Sequence, residues 1–404
     1  MILWMMPDNS VQTQTVMSVF LSGFKKQNAD INIDVKVINR RTLWSKIFTL
    51  RHEIAGGRAP DLIAFPHYWT RILARANALE NLTNLDKTLR VEACLDPVRS
   101  HCYGPDEVDL YSYPWWVDIT ALHYREDHLK LICDDPQELL STWGGLLEAS
   151  KKLKEYFRGT EGYFPIQNTD WRGSLSHRAV LPCIWGRGGY LLSADQKRCG
   201  IGDREFMLGM QDFTALARCG YMPILRERNS LGTMSSGKAS IMLTRRQGIS
   251  MFEGAKGDLP VRTLPVPRTG GVYVNYLSAV NLAVVRGSKH SQEALKLLKW
   301  LCEPQNQMRY ASLTEVFPAS EAAFESFLLS SPQRVRNYAN IIAGARTLPN
   351  HIVTGTVMEI MASVMSQAAS SILQRKYSDE LLARILKNAK EEAQMPLHLY
   401  GGAL

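Results

Sequence analysis

The chain has 404 residues, more than the roughly 100–200 of a single domain, so two or more domains are expected. Hydrophobic residues make up 45% of the chain and charged residues 21%, which is typical of a globular protein and excludes a disordered or fibrous one. No apolar run reaches the roughly 18 residues needed to span a membrane. The formal net charge of +8 would suit an anionic partner, but the basic residues are dispersed along the sequence, so we predict no nucleic-acid binding.

The N-terminal part of the chain alternates predicted strands and helices. Residues 2–6 form a short apolar strand, 11–24 a helix with one apolar face, and 31–37 a strand of alternating polarity. A second helix covers 42–55, and 62–65 is a continuous apolar run, typical of a parallel strand that is covered on both faces. This alternation predicts an α/β fold in which helices layer on a sheet.

The rest of the chain repeats the same alternation. Strands are predicted at 119–124, 240–243 and 281–285. The segment 259–271 holds three Pro and two Gly, so we interpret it as a connector. Helices are predicted after Thr142, at 212–218, at 291–302 and from 378 onward.

Cysteine usage and the start of the chain bear on its compartment. The seven cysteines form no C-x₂-C pair, so neither a zinc site nor a redox motif is predicted, and their odd number leaves at least one thiol unpaired within the chain. Cys94 and Cys102 could close a short loop in an oxidising compartment. The apolar opening 2–6 is shorter than the roughly 7–15 residues of a signal-peptide core, so the chain is either cytoplasmic or an exported protein in its mature form.

The sequence contains no intact catalytic signature. Residues 232–238 match G-x-x-x-x-G-K, but Ala239 stands where a phosphate-binding loop needs a hydroxyl. The glycine-rich run 186–189 lacks the last Gly of a dinucleotide fingerprint, and neither G-x-S-x-G nor H-E-x-x-H occurs. We therefore predict no catalytic residue, metal or cofactor. A glycan-active enzyme with two carboxylates has no local signature and stays open as a function of another class.

Tryptophans outside the predicted helices are the unusual feature of this sequence. Five of them lie at the ends of elements, near Pro, Gly, Asp or Arg. Each alone is explained by packing, but together they predict a pocket whose aromatic faces stack on a ligand. A sugar fits such a pocket, because a pyranose has an apolar C–H face and a rim of hydroxyls that Arg and Asp side chains bind. These tryptophans are Trp69, Trp115, Trp116, Trp171 and Trp185.

Several motifs carry a resemblance to a known family, through their order and spacing. They lie at 2–7, 33–37, 56–63, 78–83, 113–118, 122–127, 185–189, 237–242 and 344–346. With them the chain resembles the extracytoplasmic solute-binding proteins (family 1) of carbohydrate ABC importers, of the maltose-, trehalose- and glycerol-phosphate-binding type.

The resemblance implies a fold and a domain organisation. The fold is the periplasmic-binding-protein type II fold, with two discontinuous α/β lobes joined by a hinge and a ligand cleft between them. The N-terminal lobe would consist of residues 1–117 and 276–316, and the C-terminal lobe of residues 118–275 and 317–404. The protein would be a monomer outside the cytoplasm, with or without a lipid anchor, and would deliver a small carbohydrate to a membrane permease.

The resemblance also implies which residues bind the ligand. Tryptophans would stack on the sugar, aspartates would accept hydrogen bonds from its hydroxyls, and arginines would donate to it. The predicted set, with Trp171 added from the tryptophan pattern, is Asp8, Asn9, His67, Tyr68, Trp69, Trp116, Asp118, Trp171, Trp185, Arg245 and Arg346.

The sequence departs from the maltose- and trehalose-binding branch at two places. That branch often has Trp where Arg245 lies and Gly-Gly-Trp where residues 278–280 lie. Arg172, Arg187 and Arg346 are also expected near the cleft. An anionic ligand, either a uronate sugar or a glycerophosphodiester, is therefore the alternative to a neutral sugar.

Overall fold

The computed structural model describes residues 1–7, 12–49, 59–167, 177–224, 230–245 and 259–400. Two sheets are formed by the strands within these ranges. In chain order the strands are β1 (Ile2–Met5), β2 (Asp34–Val37), β3 (Leu62–Pro66), β4 (Tyr113–Ile119), β5 (Ala121–Arg125), β6 (Ile166–Gln167), β7 (Ile241–Thr244), β8 (Val261–Leu264), β9 (Asn275–Val284), β10 (Phe317–Pro318) and β11 (Ala345–Arg346).

The larger sheet has the strand order β10-β4-β9-β3-β1-β2, with β11 pairing on β9, and the smaller sheet has the order β6-β7-β5-β8. In the larger sheet β1 runs parallel to β2 and β3, whereas β9 runs antiparallel to β3 and β4. Only Thr120 separates β4 of the larger sheet from β5 of the smaller one. We call each sheet with the helices that pack on it a lobe, the first lobe holding the larger sheet.

Helices fill the connections between the strands. The longer ones are Thr13–Gln27, Arg40–Phe48, Trp143–Tyr156, His177–Gly186, Arg204–Arg218, Ser291–Cys302, Pro304–Thr314, Glu321–Ser330, Thr354–Leu373 and Asp379–Tyr400. The short ones are Thr70–Arg75, Leu82–Leu85, Asp96–Arg99, Glu126–Leu129, Pro136–Leu139, Ser230–Ser235, Gln333–Arg336 and Tyr338–Ala343, with 3₁₀ turns at His67–Trp69 and Ser100–Cys102. Among the described helices, none combines the length and apolar character that crossing a bilayer requires.

Local sequence explains where these elements begin and which face they bury. The helix Thr13–Gln27 buries Met17, Phe20 and Phe24, whose spacing of three and four residues places them on one side. Thr142 caps the helix Trp143–Tyr156, because its side-chain oxygen accepts a hydrogen bond from the Gly145 amide at 3.1 Å. These observations confirm the two helices that the sequence predicts at these places.

Two large hydrophobic cores stabilise the lobes. The first core lies against the larger sheet, where Trp115 stacks on Tyr310 with ring centroids 4.5 Å apart and Phe20 packs on Trp300 at 5.1 Å. The second core covers the other face of β3 and continues into the smaller sheet and the helices Arg204–Arg218 and Thr354–Leu373. Two sheets, each layered with helices, confirm the predicted α/β class.

One predicted lobe boundary is wrong. Residues from 317 onward were expected in the C-terminal lobe, but β10 pairs antiparallel with β4, with Phe317 opposite Val117. The Phe317 ring then packs on Phe324 at 5.5 Å and on Tyr338 at 4.7 Å, inside the first core. Residues 317–343 therefore belong to the first lobe. The other boundaries stay predictions.

The cysteines, which all lie within the described ranges, are free thiols. Cys94 and Cys102 are therefore not bonded to each other. The Cys102 thiol instead donates to the carbonyl oxygen of Val98, at 3.6 Å, inside the first core. Burial raises the pKa of Cys94 to about 11, which keeps this thiol protonated and unreactive.

Candidate functional site

Polar side chains come together where the chain crosses from the larger sheet to the smaller one. Asp118 of β4 lies opposite Ser278 of β9 in register, and the Thr120 amide donates to the carbonyl oxygen of Tyr276 at 2.9 Å. Side chains two residues apart lie on the same face of a strand. Asp118, Thr120, Tyr276 and Ser278 therefore share one face of the larger sheet.

The second lobe places two side chains on Tyr276 and Ser278. Both belong to the helix His177–Gly186. The Trp185 ring lies nearly parallel to the Tyr276 ring, with centroids 6.0 Å apart and planes inclined by 17°. The Arg178 guanidinium lies 5.4 Å from the centre of the Tyr276 ring and donates to the Ser278 hydroxyl at 2.9 Å. Strand β9 and this helix are thus joined by stacking and by a hydrogen bond.

Arg245, directly after β7, adds an ion pair between the lobes. Its Nη1 donates to the Oδ2 of Asp118 at 3.1 Å, and the Asp118 side chain is fully buried. A charge-assisted bond of this kind stabilises a buried carboxylate. We call the seven residues assembled here the interlobe cluster: Asp118, Thr120, Arg178, Trp185, Arg245, Tyr276 and Ser278.

Buried polar atoms on this face leave hydrogen-bonding capacity. Within the described residues, Asp118 Oδ1, Thr120 Oγ1 and the indole Nε1 of Trp116 are buried without a hydrogen-bond partner. Such atoms are uncommon in folded proteins and are destabilising unless paired. Burial also raises the pKa of Tyr276 to about 12, so its phenol stays protonated at neutral pH. The face can therefore both donate to and accept from a small polar molecule.

No metal site accompanies the cluster in the part of the chain that the structure describes. There, no three His, Cys, Asp or Glu side chains are grouped so that they could hold an ion. The chemistry that the described cluster offers is hydrogen bonding, stacking and charge pairing, all of which serve non-covalent binding.

Comparison with known proteins identifies the family. Residues 21–335, well over half of the chain, match the model of a family described as "Bacterial extracellular solute-binding protein". The chain belongs to this family. A comparison with curated proteins finds no match.

Solved structures of the same fold span the whole of this solute-binding protein. The sugar-binding protein MalE from Xanthomonas citri is 17% identical, with a TM-score of 0.80 and 100% of this chain and 99% of that one covered. The Thermotoga lettingae ABC transporter solute-binding protein bound with α-D-tagatose is 16% identical, with a TM-score of 0.81 and coverage of 98% and 99%. Maltose-bound MalE3 of T. maritima is 19% identical, with a TM-score of 0.80 and coverage of 98% and 100%. These similarities confirm the predicted two-lobed fold.

Several of the predicted site residues meet at or beside the interlobe cluster. Asp118, Trp185 and Arg245 belong to it. Arg346 of β11 pairs in register with Tyr276, and its side chain is exposed. Tyr68 follows β3 and accepts a hydrogen bond from Arg40 Nη1 at 2.9 Å, and both side chains lie within electrostatic range of Tyr276.

Three other predicted residues have packing contacts of their own. His67 is fully buried, and its Nδ1 lies 3.0 Å from the backbone of Ala279. Trp69 packs on Trp44, with ring centroids 4.6 Å apart, and Trp116 is buried in the first core. These contacts fix the sheet and its neighbouring turns. The remaining predicted residues, Asp8, Asn9 and Trp171, lie outside the described residues, as does Arg172.

Arg187 is not part of the interlobe cluster, although it was expected near the cleft. It forms an ion pair with Asp212 at 2.6 Å, beside a separate surface cavity of about 340 Å³ on the second lobe. Trp143 and Arg268 line the same cavity. The guanidinium charge of Arg187 is therefore neutralised by Asp212, away from the crossing strands.

Sequence reasoning missed four residues of the interlobe cluster: Thr120, Arg178, Tyr276 and Ser278. Strand β9 was predicted to begin at 281, whereas it begins at Asn275. A strand assigned from 275 would have placed Tyr276 and Ser278 on one face by simple alternation. Arg178 had no such signal, because its helix was not predicted.

Proposed function

We propose that this solute-binding protein is the substrate-binding component of an ABC importer and captures a mono- or oligosaccharide between its lobes. Solved structures of this fold include the sugar-binding protein MalE of Xanthomonas citri and an ABC transporter solute-binding protein bound with α-D-tagatose, which supports the proposal. The observation that carries it is the interlobe cluster. Among the residues that the structure describes, one oxygen each of Asp118 and Thr120 is buried there without a partner, and Trp185 of the other lobe faces the same strands.

In the proposed mechanism, closure of the lobes traps the sugar. The Asp118 carboxylate accepts hydrogen bonds from sugar hydroxyls, Trp116 Nε1 donates one, and the edge of Trp185 lies against the apolar face of the ring. The ligand binds the closed form better than the open form, so it shifts the population toward closure. The closed monomer, outside the cytoplasm and with or without a lipid anchor, then docks on its permease. No bond of the ligand is broken.

An acidic saccharide or a glycerophosphodiester is the second candidate ligand. The observation in its favour is that Arg178 and Arg245 both reach the crossing strands, with the exposed Arg346 beside them. Guanidinium groups recognise carboxylates and phosphates through paired hydrogen bonds. An anionic ligand would lose affinity as salt rises, whereas a neutral sugar would not.

The test is a tryptophan-fluorescence titration with maltose, maltotriose, trehalose, galacturonate oligomers and glycerophosphodiesters at low and high salt. Trp185→Leu is expected to weaken the binding of whichever ligand responds by about tenfold, as for the loss of one aromatic contact. Trp143→Leu removes a buried indole of the same lobe outside the interlobe cluster and should leave the affinity unchanged.

Three outcomes would contradict the proposal. If none of these compounds binds, the ligand class is wrong. If the Trp185 and Trp143 variants bind equally well while a saccharide still binds, the ligand lies elsewhere. Recovery of a chemically altered saccharide after long incubation would instead favour a glycan-active enzyme.

A further inference from the structure

Arg40 occupies a position that local electrostatics disfavours. It is the first residue of the helix Arg40–Phe48, followed by Arg41, and the first turn has no acidic residue. Cations at a helix N-terminus oppose the helix dipole, at a cost of up to about 1 kcal/mol each. Asn39 already caps this end by accepting from the Thr42 amide at 3.0 Å. Arg40 thus has no favourable interaction with the dipole of its own helix, and the partners of its guanidinium lie on other elements.

The guanidinium of Arg40 bridges two residues from different parts of the chain. Its Nη1 donates to the Tyr68 hydroxyl at 2.9 Å, and its Nη2 lies 3.5 Å from the Oε1 of Glu359. Tyr68 is nearly buried beside the interlobe cluster, whereas the Glu359 side chain is 63% exposed. Glu359 is also the one charged residue in the sequence of the helix Thr354–Leu373.

The helix Thr354–Leu373 touches both lobes. Its buried face, which includes Met361 and Val364, packs in the second core with the helices Arg204–Arg218 and Asp379–Tyr400. Its first turn reaches the first lobe, where the Trp44 ring lies beside Gly355. Trp44 in turn packs on Trp69, next to Tyr68. The ion pair of Arg40 with Glu359 thus lies across the boundary between the lobes.

We propose that Arg40 is a positioning residue that couples Tyr68 to lobe closure through its ion pair with Glu359. The pair forms when the lobes close and breaks when they open, and while it holds, Arg40 fixes the Tyr68 hydroxyl beside the interlobe cluster. This inference rests on the proposed function, in which closure traps the ligand. A bond present only in the closed form raises the closed population and therefore the apparent affinity.

The test uses ligand-free protein, which by this proposal samples the closed form often enough for the ion pair to slow exchange, so its outcome does not depend on the identity of the solute. Hydrogen exchange is measured for peptides covering 67–73 and 354–362. Glu359→Gln should speed exchange in both by about two- to fivefold, as expected for an exposed ion pair, and Arg40→Met by about tenfold, because it also releases Tyr68. Raising NaCl from about 0.05 to 1 M should speed exchange in the wild type and not in Glu359→Gln.

Controls separate coupling from a loss of folding. Glu321→Gln breaks the ion pair with Arg99 at 2.7 Å, which lies within the first lobe, and should leave both peptides unchanged. The double variant Arg40→Glu with Glu359→Arg should restore slow exchange, because the introduced carboxylate accepts from Tyr68 and suits a helix N-terminus. The proposal would be overturned if Glu359→Gln exchanged at the wild-type rate. It would also be overturned if the effects of Arg40→Met and Glu359→Gln on the exchange rate were strictly additive. Both outcomes count against it even where a saccharide binds.

Discussion

Replacing Asp118 with Asn is expected to weaken ligand binding about a hundredfold. The Asp118 side chain is fully buried, one of its oxygens accepts from Arg245, and the other is unpartnered within the described residues. Hydrogen bonds to a charged group contribute about 1.5–3 kcal/mol each, roughly twice a neutral bond, and about 2.7 kcal/mol corresponds to a hundredfold in affinity. Asn keeps the shape of Asp but loses the charge. Isothermal titration with the saccharide found by fluorescence measures the effect.

The matched control is Asp212→Asn. Asp212 also pairs with an arginine, Arg187 at 2.6 Å, but beside the surface cavity of the second lobe. Its loss should leave affinity within about twofold of the wild type, because this pair lies outside the interlobe cluster, and partly exposed pairs contribute little. Equal affinities in the two variants, with both folded by thermal melting, would remove Asp118 from the binding site.

Local pattern was sufficient to predict the α/β class and several of its elements, because burial leaves a periodic trace in the sequence, whereas the two lobes were implied only by the family resemblance. The continuous apolar run 62–65 became β3, buried on both faces, between β1 and β9 of the larger sheet. The helix Ser291–Cys302 buries Ala294, Leu297 and Leu301 at helical spacing. Such positions are fixed by one-dimensional spacing and need no knowledge of tertiary contacts.

The site was only partly predictable, since its geometry depends on distant pairs. Asp118 and Arg245 are 127 residues apart, and only the resemblance to a known family suggested that they lie close together. Arg178 donates to Ser278 across 100 residues of sequence, and strand alternation can at most place Ser278 on a face without revealing its partner. Spacing alone cannot distinguish an arginine that reaches another lobe from one that faces solvent.

The error at residue 317 has a related cause. Phe317–Pro318 is a two-residue strand, too short for alternation to reveal, and its pairing with β4 is a tertiary contact. Once that pairing forms, the following helix Glu321–Ser330 is drawn into the first core through Phe324 and Phe327. The crossing strands of the larger sheet, rather than the order of segments along the chain, therefore decide which lobe this segment joins.

Acidification is expected to destabilise the first lobe through His67. Burial, the largest cause, lowers the pKa of His67 to about 4, although its bond to the Ala279 backbone acts in the opposite direction. In the unfolded chain a histidine has a pKa of about 6.5. At pH values between about 4 and 6.5, the unfolded state binds a proton at His67 that the folded state does not bind. The stability contributed by the neutral ring is therefore complete above about pH 6.5 and is lost as pH falls toward 4.

The size of the effect follows from the interval between the two pKa values. From pH 7.5 to 4.5 the free energy of unfolding should fall by about 2–3 kcal/mol through His67 alone. The positive charge of Arg178 also lowers the pKa of His67, and the His101 ring lies 4.3 Å from the His67 ring. Burial holds the pKa of His101 well below its usual value too, so that ring adds to the acid sensitivity.

Urea unfolding at several pH values tests this expectation in His67→Gln. Gln can still bond to the Ala279 backbone but cannot titrate, so the variant should lose about 2–3 kcal/mol less than the wild type between pH 7.5 and 4.5. His290→Gln is the control, because that ring is half exposed and pairs with Glu293. Identical pH profiles for His67→Gln and the wild type would mean that this ring is hydrated or already charged in the folded protein. In that case the buried contact of His67 with β9 would not be the cause of the loss of stability at low pH.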